Sequence, residues 1–202
     1  MLRLYDSEPS GNCYKVRLLL SHLGLPYDPI EIDVINRENR QSLLADKNPS
    51  ARVPILEFDD GRTLGESNAI LLYLAENTPY LPDDRFERAC VMQWLFFEQN
   101  LHEPNIAVAR YWKSIVHQAD RFPEQMRAKL DGGRSALQVM ERHLQSRSYL
   151  TGERYTVADI SLYAYTHVAP EAGLPLDGYP SLRAWIQRIM DQPGHVSMLA
   201  GT

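Results

Sequence analysis

The 202-residue sequence predicts an α/β N-terminal domain with a mixed sheet, followed by an all-α C-terminal domain. Three observations predict it. Residues 1–78 alternate strand-like and helix-like patterns in the order β-α-β-α-β-β-α, a proline (Pro54) opens the third strand, and from Phe86 onward apolar residues recur only at helical spacing. Between the halves, the stretch beginning Asn77-Thr78-Pro79-Tyr80-Leu81-Pro82 is turn-rich and reads as a connection. The domain plan is 1–78, a linker at 79–85, and 86–202.

The first strand starts at Leu2-Arg3-Leu4-Tyr5. A helix follows, because Cys13, Val16, Leu20 and Leu23 fall at spacings of three, four and three on one face. Ser10 is a favourable N-cap for it, and Gly24 with Pro26 just beyond is a stop signal. Ile30, Ile32 and Val34 alternate as a second strand. Residues 38–45 are weakly helical. The third strand, 54–58, begins at Val53-Pro54. An X-Pro bond is one of the few that can be cis at modest cost, about 0.5–1 kcal/mol. Proline is tolerated at a strand's first residue, and the residue before it is held extended. Asp59-Asp60-Gly61 turns the chain into a short fourth strand at 62–64. Glu66-Ser67 then opens a helix through Ala69, Ile70, Tyr73 and Leu74.

The second half begins with a long helix over 86–113 that carries Trp94, Leu95, Phe96 and Phe97. Residues 123–146 place Leu130, Leu137, Met140 and Leu144 on one stripe, interrupted by Gly132-Gly133 at about 1 kcal/mol per glycine against alanine. Thr156-Val157-Ala158-Asp159 has the form of a capping box with Asp in place of the usual Glu. It opens a helix through Ile160, Leu162 and Tyr163. Leu182, Trp185, Ile186 and Ile189 fall at i, i+3, i+4 and i+7 of a last helix.

Composition narrows the function classes. With 44% hydrophobic and 23% charged residues the chain reads as an ordinary globular protein. A net charge of −5 argues against general nucleic-acid affinity. No apolar run of about 18 residues predicts a membrane span, and the N-terminus lacks a signal-peptide core. Cys13 and Cys90 form no disulfide framework, and the six histidines show no zinc-ligand spacing. A cytoplasmic location is the expectation.

The Val53-Pro54 strand beside the Glu66-Ser67 helix start suggests a site for an α-amino acid. The helix N-terminus takes a carboxylate, Glu66 takes an ammonium, and the free main-chain groups of Val53 pair with a peptide laid alongside. A γ-glutamyl peptide fits such a site. The β-α-β-α-β-β-α order with its strand-opening proline resembles the thioredoxin fold, whose reactive residue sits where the first strand meets the first helix. Here that segment includes Ser10-Gly11-Asn12-Cys13-Tyr14-Lys15-Val16-Arg17. With Asn48-Pro49, Val53-Pro54-x-Leu56, Glu66-Ser67-x-Ala69-Ile70 and Thr156-x-Ala158-Asp159, the whole chain resembles the cytosolic glutathione S-transferase family, in its serine-type, theta- and zeta-like bacterial form.

The resemblance implies glutathione as co-substrate with no bound cofactor, a hydrophobic electrophile as acceptor, and a homodimer. It places Ser10, six residues before Val16, at the catalytic position and Arg52 near the glycine carboxylate of glutathione. The chemistry is plausible in magnitude. A free thiol is only about 3% ionised at pH 7, and lowering its pKa by about 2 units needs roughly 2.7 kcal/mol. A hydrogen bond to a charged acceptor contributes about 1.5–3 kcal/mol, and a helix N-terminus about 0.3–1 kcal/mol.

Plainer roles compete at several positions. Ser10 is also simply a good N-cap. Cys13 stands where a redox pair would have its second cysteine, and its place on an apolar face reads as a buried small hydrophobe, with a reactive thiol as the alternative. Tyr5 is a second thiolate donor by analogy with other classes, though it lies inside the first strand. Arg52 also suits an exposed surface. Lys15, Arg17 and Lys47 add local positive charge, with Arg17 read as an internal ion-pair partner. Asn105, Tyr111 and Trp112 line either an acceptor pocket or the core. Asp159 is structural. The alternatives to conjugation are reduction of a disulfide or peroxide with glutathione, and a non-catalytic binding or regulatory module.

Overall fold

A computed structural model describes residues 1–36 and 39–199. Four strands, β1 (Leu2–Asp6), β2 (Tyr27–Glu31), β3 (Ile55–Glu57) and β4 (Thr63–Gly65), form one sheet in the order β2-β1-β3-β4. β1 pairs parallel with β2 and antiparallel with β3, and β3 pairs antiparallel with β4. The helices are α1 (Gly11–His22), α2 (Arg40–Leu44) and α3 (Ser67–Leu74). This is the expected mixed sheet of a thioredoxin-like domain.

Strand alternation sorts the core into two faces. Leu4 and Leu56 pack with Val16 and Leu20 of α1 and Ile70 of α3. Tyr5 and Ile55 face the other way, against Ile32 and Leu44. Each fully buried Leu, Ile or Val contributes about 1.5–3 kcal/mol, so the two-faced pattern fixes the register: a one-residue slip would send each set to the face shaped for the other. The Val53–Pro54 bond is cis.

The second strand differs from the expectation. It runs through Tyr27–Glu31, and Val34 lies in a turn beyond it. Pro29, opposite Leu4, obscured it in the sequence. β2 is an edge strand, where a proline's missing N–H disrupts no ladder. α2 is shorter than the expected 38–45, and Glu38 lies outside the described residues. α1 is buried on more than one face, Tyr14, Lys15, Leu18 and Leu19 being buried along with Cys13, Val16 and Leu20.

The chain divides into two compact units, one of Met1–Glu76 joined by residues from 193 on, the other Asn77–Gln192. The expectation assigned everything after residue 86 to the helical half. Instead, residues 193–199 group with the first unit, and the stretch expected as a linker groups with the second, where Leu81 is buried and Asp84 caps the next helix.

In the second unit, α4 (Arg85–Phe97) and α5 (Glu103–Arg110) follow one another through a wide π-type turn at Glu98–His102, and a second such turn covers Tyr111–Ile115. The expected continuous helix is thus widened twice. Pro104 accounts for the first widening: it has no N–H for the regular bond and its ring crowds the preceding turn. The amide of Glu103 bonds the Glu98 carbonyl five residues back.

α6 (Pro123–Leu144) runs without a break. Its glycine pair is a packing device rather than an interruption. A Cβ on Gly132 would stand 2.6 Å from the Asn105 side chain, and one on Gly133 2.6 Å from Leu174 Cδ1. α7 (Val157–Thr166) is buried along its whole length and begins with the expected capping box. α8 (Ala169–Ala172) and α9 (Pro180–Met190) complete the unit, and α9 buries Leu182, Trp185 and Ile189. The Glu141 carboxylate of α6 accepts from the Ser181 and Leu182 amides at the start of α9, at 3.1 and 2.9 Å, a favourable charge at a helix N-terminus. No helix among the described residues is long and apolar enough to cross a membrane.

Candidate functional site

The site expected from the sequence falls entirely within the first unit, where α1 and α3 pack against each other over one face of the sheet. Ser10 is the N-cap of α1, with extended backbone, and its Oγ accepts from the Cys13 amide at 3.3 Å. The cap uses the hydroxyl oxygen as an acceptor, and the hydroxyl still has a proton to give. Ser67 is the first residue of α3 and is buried.

Two side chains bind these helix starts together. The Lys15 ammonium, on a fully buried residue, donates to Asn12 Oδ1 at 2.8 Å and to Ser67 Oγ at 3.3 Å. Ser67 Oγ donates to Asn12 Oδ1 at 3.3 Å. Two helix N-termini and a lysine ammonium therefore converge, a setting that favours an anion.

Glu66, just before α3, is exposed and adopts φ 65°, ψ 112°. That conformation is sparsely populated for a residue with a side chain and costs of order 1–3 kcal/mol. It turns the exposed carboxylate out at the helix start instead of folding it back as a cap. Such strain persists where the surroundings enforce it, and it clusters at ligand clamps.

Arg52 and Val53 lie on the approach to β3. Asn48 Nδ2 donates to the Arg52 carbonyl at 3.2 Å, while the Arg52 side chain is exposed. Val53 packs its side chain on the Tyr5, Ile32, Leu44 and Ile55 cluster, and its main chain stands outside the ladder that begins at Ile55. Asn48 sits close under Gly65, where a Cβ would come within 2.9 Å of its Nδ2, so this loop lies tight against β4.

The remaining candidates sort by their partners. Tyr5 donates its hydroxyl to Glu57 Oε2 at 2.7 Å, and Glu57 also pairs with Lys47 and with Arg3. Burial first, and then the bond to Glu57, raise the Tyr5 pKa. Its proton is committed inside the sheet, so it is not placed as a thiolate donor. Cys13 is fully buried, and burial above all, with the nearby Asp6 charge, pushes its thiol well up; the Ser10 hydroxyl pulls the other way and does not prevail. A protonated, buried thiol is a poor nucleophile.

Arg17 pairs with Asp6, as expected. Asn105 donates to the Leu101 carbonyl at 2.7 Å and abuts Gly132 of α6, which places it in helix packing. Trp112 stacks on Phe122 at 5.1 Å. Asp159 is buried with its carboxylate fully used inside the second unit.

Sequence reasoning missed the linking roles of Asn12 and Lys15 and the strained backbone of Glu66. A signal for the first two was present: a lysine beside Val16 of the apolar stripe of α1 and three residues after an asparagine, one helical turn away on the same face.

Comparison with known proteins places these observations in a wider set. Residues 4–83 match the model of the glutathione S-transferase N-terminal domain, and residues 105–193 match that of its C-terminal domain. A glutathione S-transferase structure from Pseudomonas fluorescens is 44% identical, covers 98% of each chain and superposes with a TM-score of 0.95. The structure of Ure2p in complex with glutathione is 26% identical over 96% of this chain and 90% of that one, with a TM-score of 0.82. The disulfide-bond oxidoreductase YfcG of Escherichia coli is 28% identical over 96% of this chain and 92% of its own.

Proposed function

We propose that this chain, which belongs to the glutathione S-transferase family, binds glutathione at the joined starts of α1 and α3 and transfers its sulfur to a hydrophobic electrophile. The observation that carries the reading is the convergence of Ser10, Ser67, Asn12 and Lys15 at two helix N-termini, beside the strained, outward-turned Glu66. In this reading α3 takes the γ-glutamyl head: its N-terminus and Ser67 receive the carboxylate, and Glu66 receives the ammonium. Val53 offers main-chain groups to the cysteinyl unit, and Arg52 meets the glycine carboxylate. Ser10 donates to the sulfur. Glutathione is a co-substrate, not a resident cofactor.

Ser10 acts on ionisation more than on binding. A hydrogen bond that strengthens as charge develops lowers the thiol pKa and speeds attack, while one that holds thiol and thiolate alike would change affinity only. The chemical step forms a carbon–sulfur bond as the leaving group departs with its electron pair, or as an epoxide ring opens. A second reading is reduction of a disulfide by glutathione, supported by the likeness to the oxidoreductase YfcG. Assay of the purified protein against aryl halides, epoxides, peroxides and glutathione disulfide separates the two.

The binding half of the proposal is tested at α3. Glu66→Ala and Ser67→Ala each weaken glutathione binding by at least about 1.5 kcal/mol, roughly tenfold, in calorimetry. Wild-type affinity in both variants removes the site from α3.

The protein works as a two-fold homodimer in this reading. α4 leaves Phe86, Met92 and Phe96 exposed, Phe86 at 76% and Phe96 at 66%. A second copy covers such a stripe economically, because an isologous interface uses each contact twice. Light scattering at micromolar protein gives a mass of twice 23.2 kDa. A monomeric mass would leave the stripe without this role.

A further inference from the structure

We propose that Arg17 is a positioning residue: with the segment of residues 193–199, it fixes the turn that presents the Ser10 hydroxyl. The inference rests on the proposed function for its catalytic consequence and on geometry for the rest. Arg17 lies one and a half turns into α1, with its side chain 12% exposed. Its guanidinium meets four oxygens. Nη1 donates to Asp6 Oδ1 at 2.5 Å and to the Ser7 carbonyl at 3.4 Å. Nη2 donates to the Glu8 carbonyl at 3.0 Å and to the Met198 carbonyl at 2.9 Å.

Three of these oxygens come from the end of β1 (Asp6) and the connection to α1 (Ser7 and Glu8), and the first two are linked through the backbone of Ser7. Asp6 Oδ1 also accepts the Ser7 amide at 2.7 Å, and the Ser7 carbonyl also accepts the Ser10 amide at 3.0 Å. A closed ring of bonds therefore runs from the Arg17 fork through Asp6 and Ser7 to the backbone of Ser10. The fourth oxygen comes from the distant C-terminal segment. That segment is held by α1 at two further points, the Tyr14 hydroxyl donating to the Val196 carbonyl at 2.7 Å and His22 Nδ1 meeting the Pro193 carbonyl at 2.8 Å.

The residue type matches the task. An ion pair with Asp6 needs only a positive charge, which lysine supplies. Reaching a carboxylate and three carbonyls at once needs the forked donors of a guanidinium, whose two terminal nitrogens supply all four bonds here. The arrangement also separates two quantities. Glu66 and Ser67 lie on another helix, so Arg17 has no bond to the part of the site assigned to the γ-glutamyl head. Loosening the turn displaces the hydroxyl from the sulfur and leaves that head in place, which affects turnover rather than affinity.

The test uses Arg17→Lys and Tyr14→Phe in the full-length protein. In Arg17→Lys, amide hydrogen exchange over residues 7–10 accelerates by about tenfold. The ultraviolet titration of bound glutathione shifts its thiol up by about one pKa unit. kcat falls about tenfold, and the glutathione Kd stays within threefold of wild type. Tyr14→Phe, which frees the Val196 carbonyl but keeps the arginine fork, moves the same readouts in the same direction by a smaller factor, and it carries the test if the lysine variant does not fold. Exchange over residues 7–10 unchanged from wild type in both variants overturns the inference. So does faster exchange with unaltered thiol ionisation. A wild type that binds glutathione without ionising it, or does not bind it, instead overturns the proposed function, a result read without either variant.

Discussion

Asp159→Ala lowers the unfolding free energy at pH 7 by about 3–5 kcal/mol, read from urea denaturation. The buried carboxylate accepts four hydrogen bonds. Its Oδ1 takes the Leu150 amide and Trp185 Nε1, both at 2.9 Å, and its Oδ2 takes the Thr156 amide at 3.0 Å and the Thr156 hydroxyl at 3.3 Å. Alanine leaves buried donors without acceptors at about 1–3 kcal/mol each and removes half of the α7 capping box, about 1 kcal/mol. Water entering the space offsets part of the sum. A denaturation midpoint equal to wild type would mean that α7 needs no anchor.

The same residue sets a pH dependence. Burial lifts the Asp159 carboxyl to about 6, outweighing the four donors that pull it down. In the unfolded chain it titrates near 3.9, about two units lower. Between those values the folded protein holds a proton that the unfolded chain has released. Stability from this group is therefore greatest below about pH 4 and falls as pH rises toward and through 6, by up to about 3 kcal/mol. Asp159→Asn removes this slope while keeping one acceptor oxygen, so its stability difference from wild type changes between pH 4 and 7.

Ser10→Ala leaves the glutathione Kd within a few-fold and reduces turnover by one to three orders of magnitude, with the thiol of bound glutathione shifted up in its ultraviolet titration. It also loses the N-cap of α1, about 0.5–2 kcal/mol of stability, so turnover is compared well below the melting range. Cys13→Ala is the matched control. Its side chain is fully buried and its thiol is held protonated, so that variant keeps activity and loses stability. Unchanged turnover in Ser10→Ala, with the bound thiol still ionised at neutral pH, assigns Ser10 to capping alone. Inactivity of a well-folded Cys13→Ala reverses the two roles.

What the sequence revealed and what it hid follow one physical division. Ser10 as a cap, Gly24 as a stop and the Thr156–Asp159 box are local devices, each satisfied within a few residues, and each appears where expected, while the Val53-Pro54 step falls just before β3, which begins at Ile55. The features that escaped depend on a distant partner. Pro29 is harmless only because β2 lies on the sheet edge. Gly132 and Gly133 look like breaks until Asn105 and Leu174 occupy the space they leave. Tyr5 looks available until Glu57 and Lys47 arrive from other parts of the chain. The positive φ of Glu66 has no signature in residue type at all, since glycine or asparagine is the usual occupant of that half of conformational space.

The return of residues 193–199 to the first unit bears on how the protein is made. The segment that supplies the fourth oxygen to Arg17 leaves the ribosome after every residue of the second unit. At about 5–20 residues per second, residues 77–192 take on the order of ten seconds to synthesise. Throughout that interval the first sheet and its helices are present without the bonds that residues 193–199 make to α1. The bond from Arg17 to the Met198 carbonyl, the fourth anchor of the turn before Ser10, therefore forms only after the second unit has been synthesised.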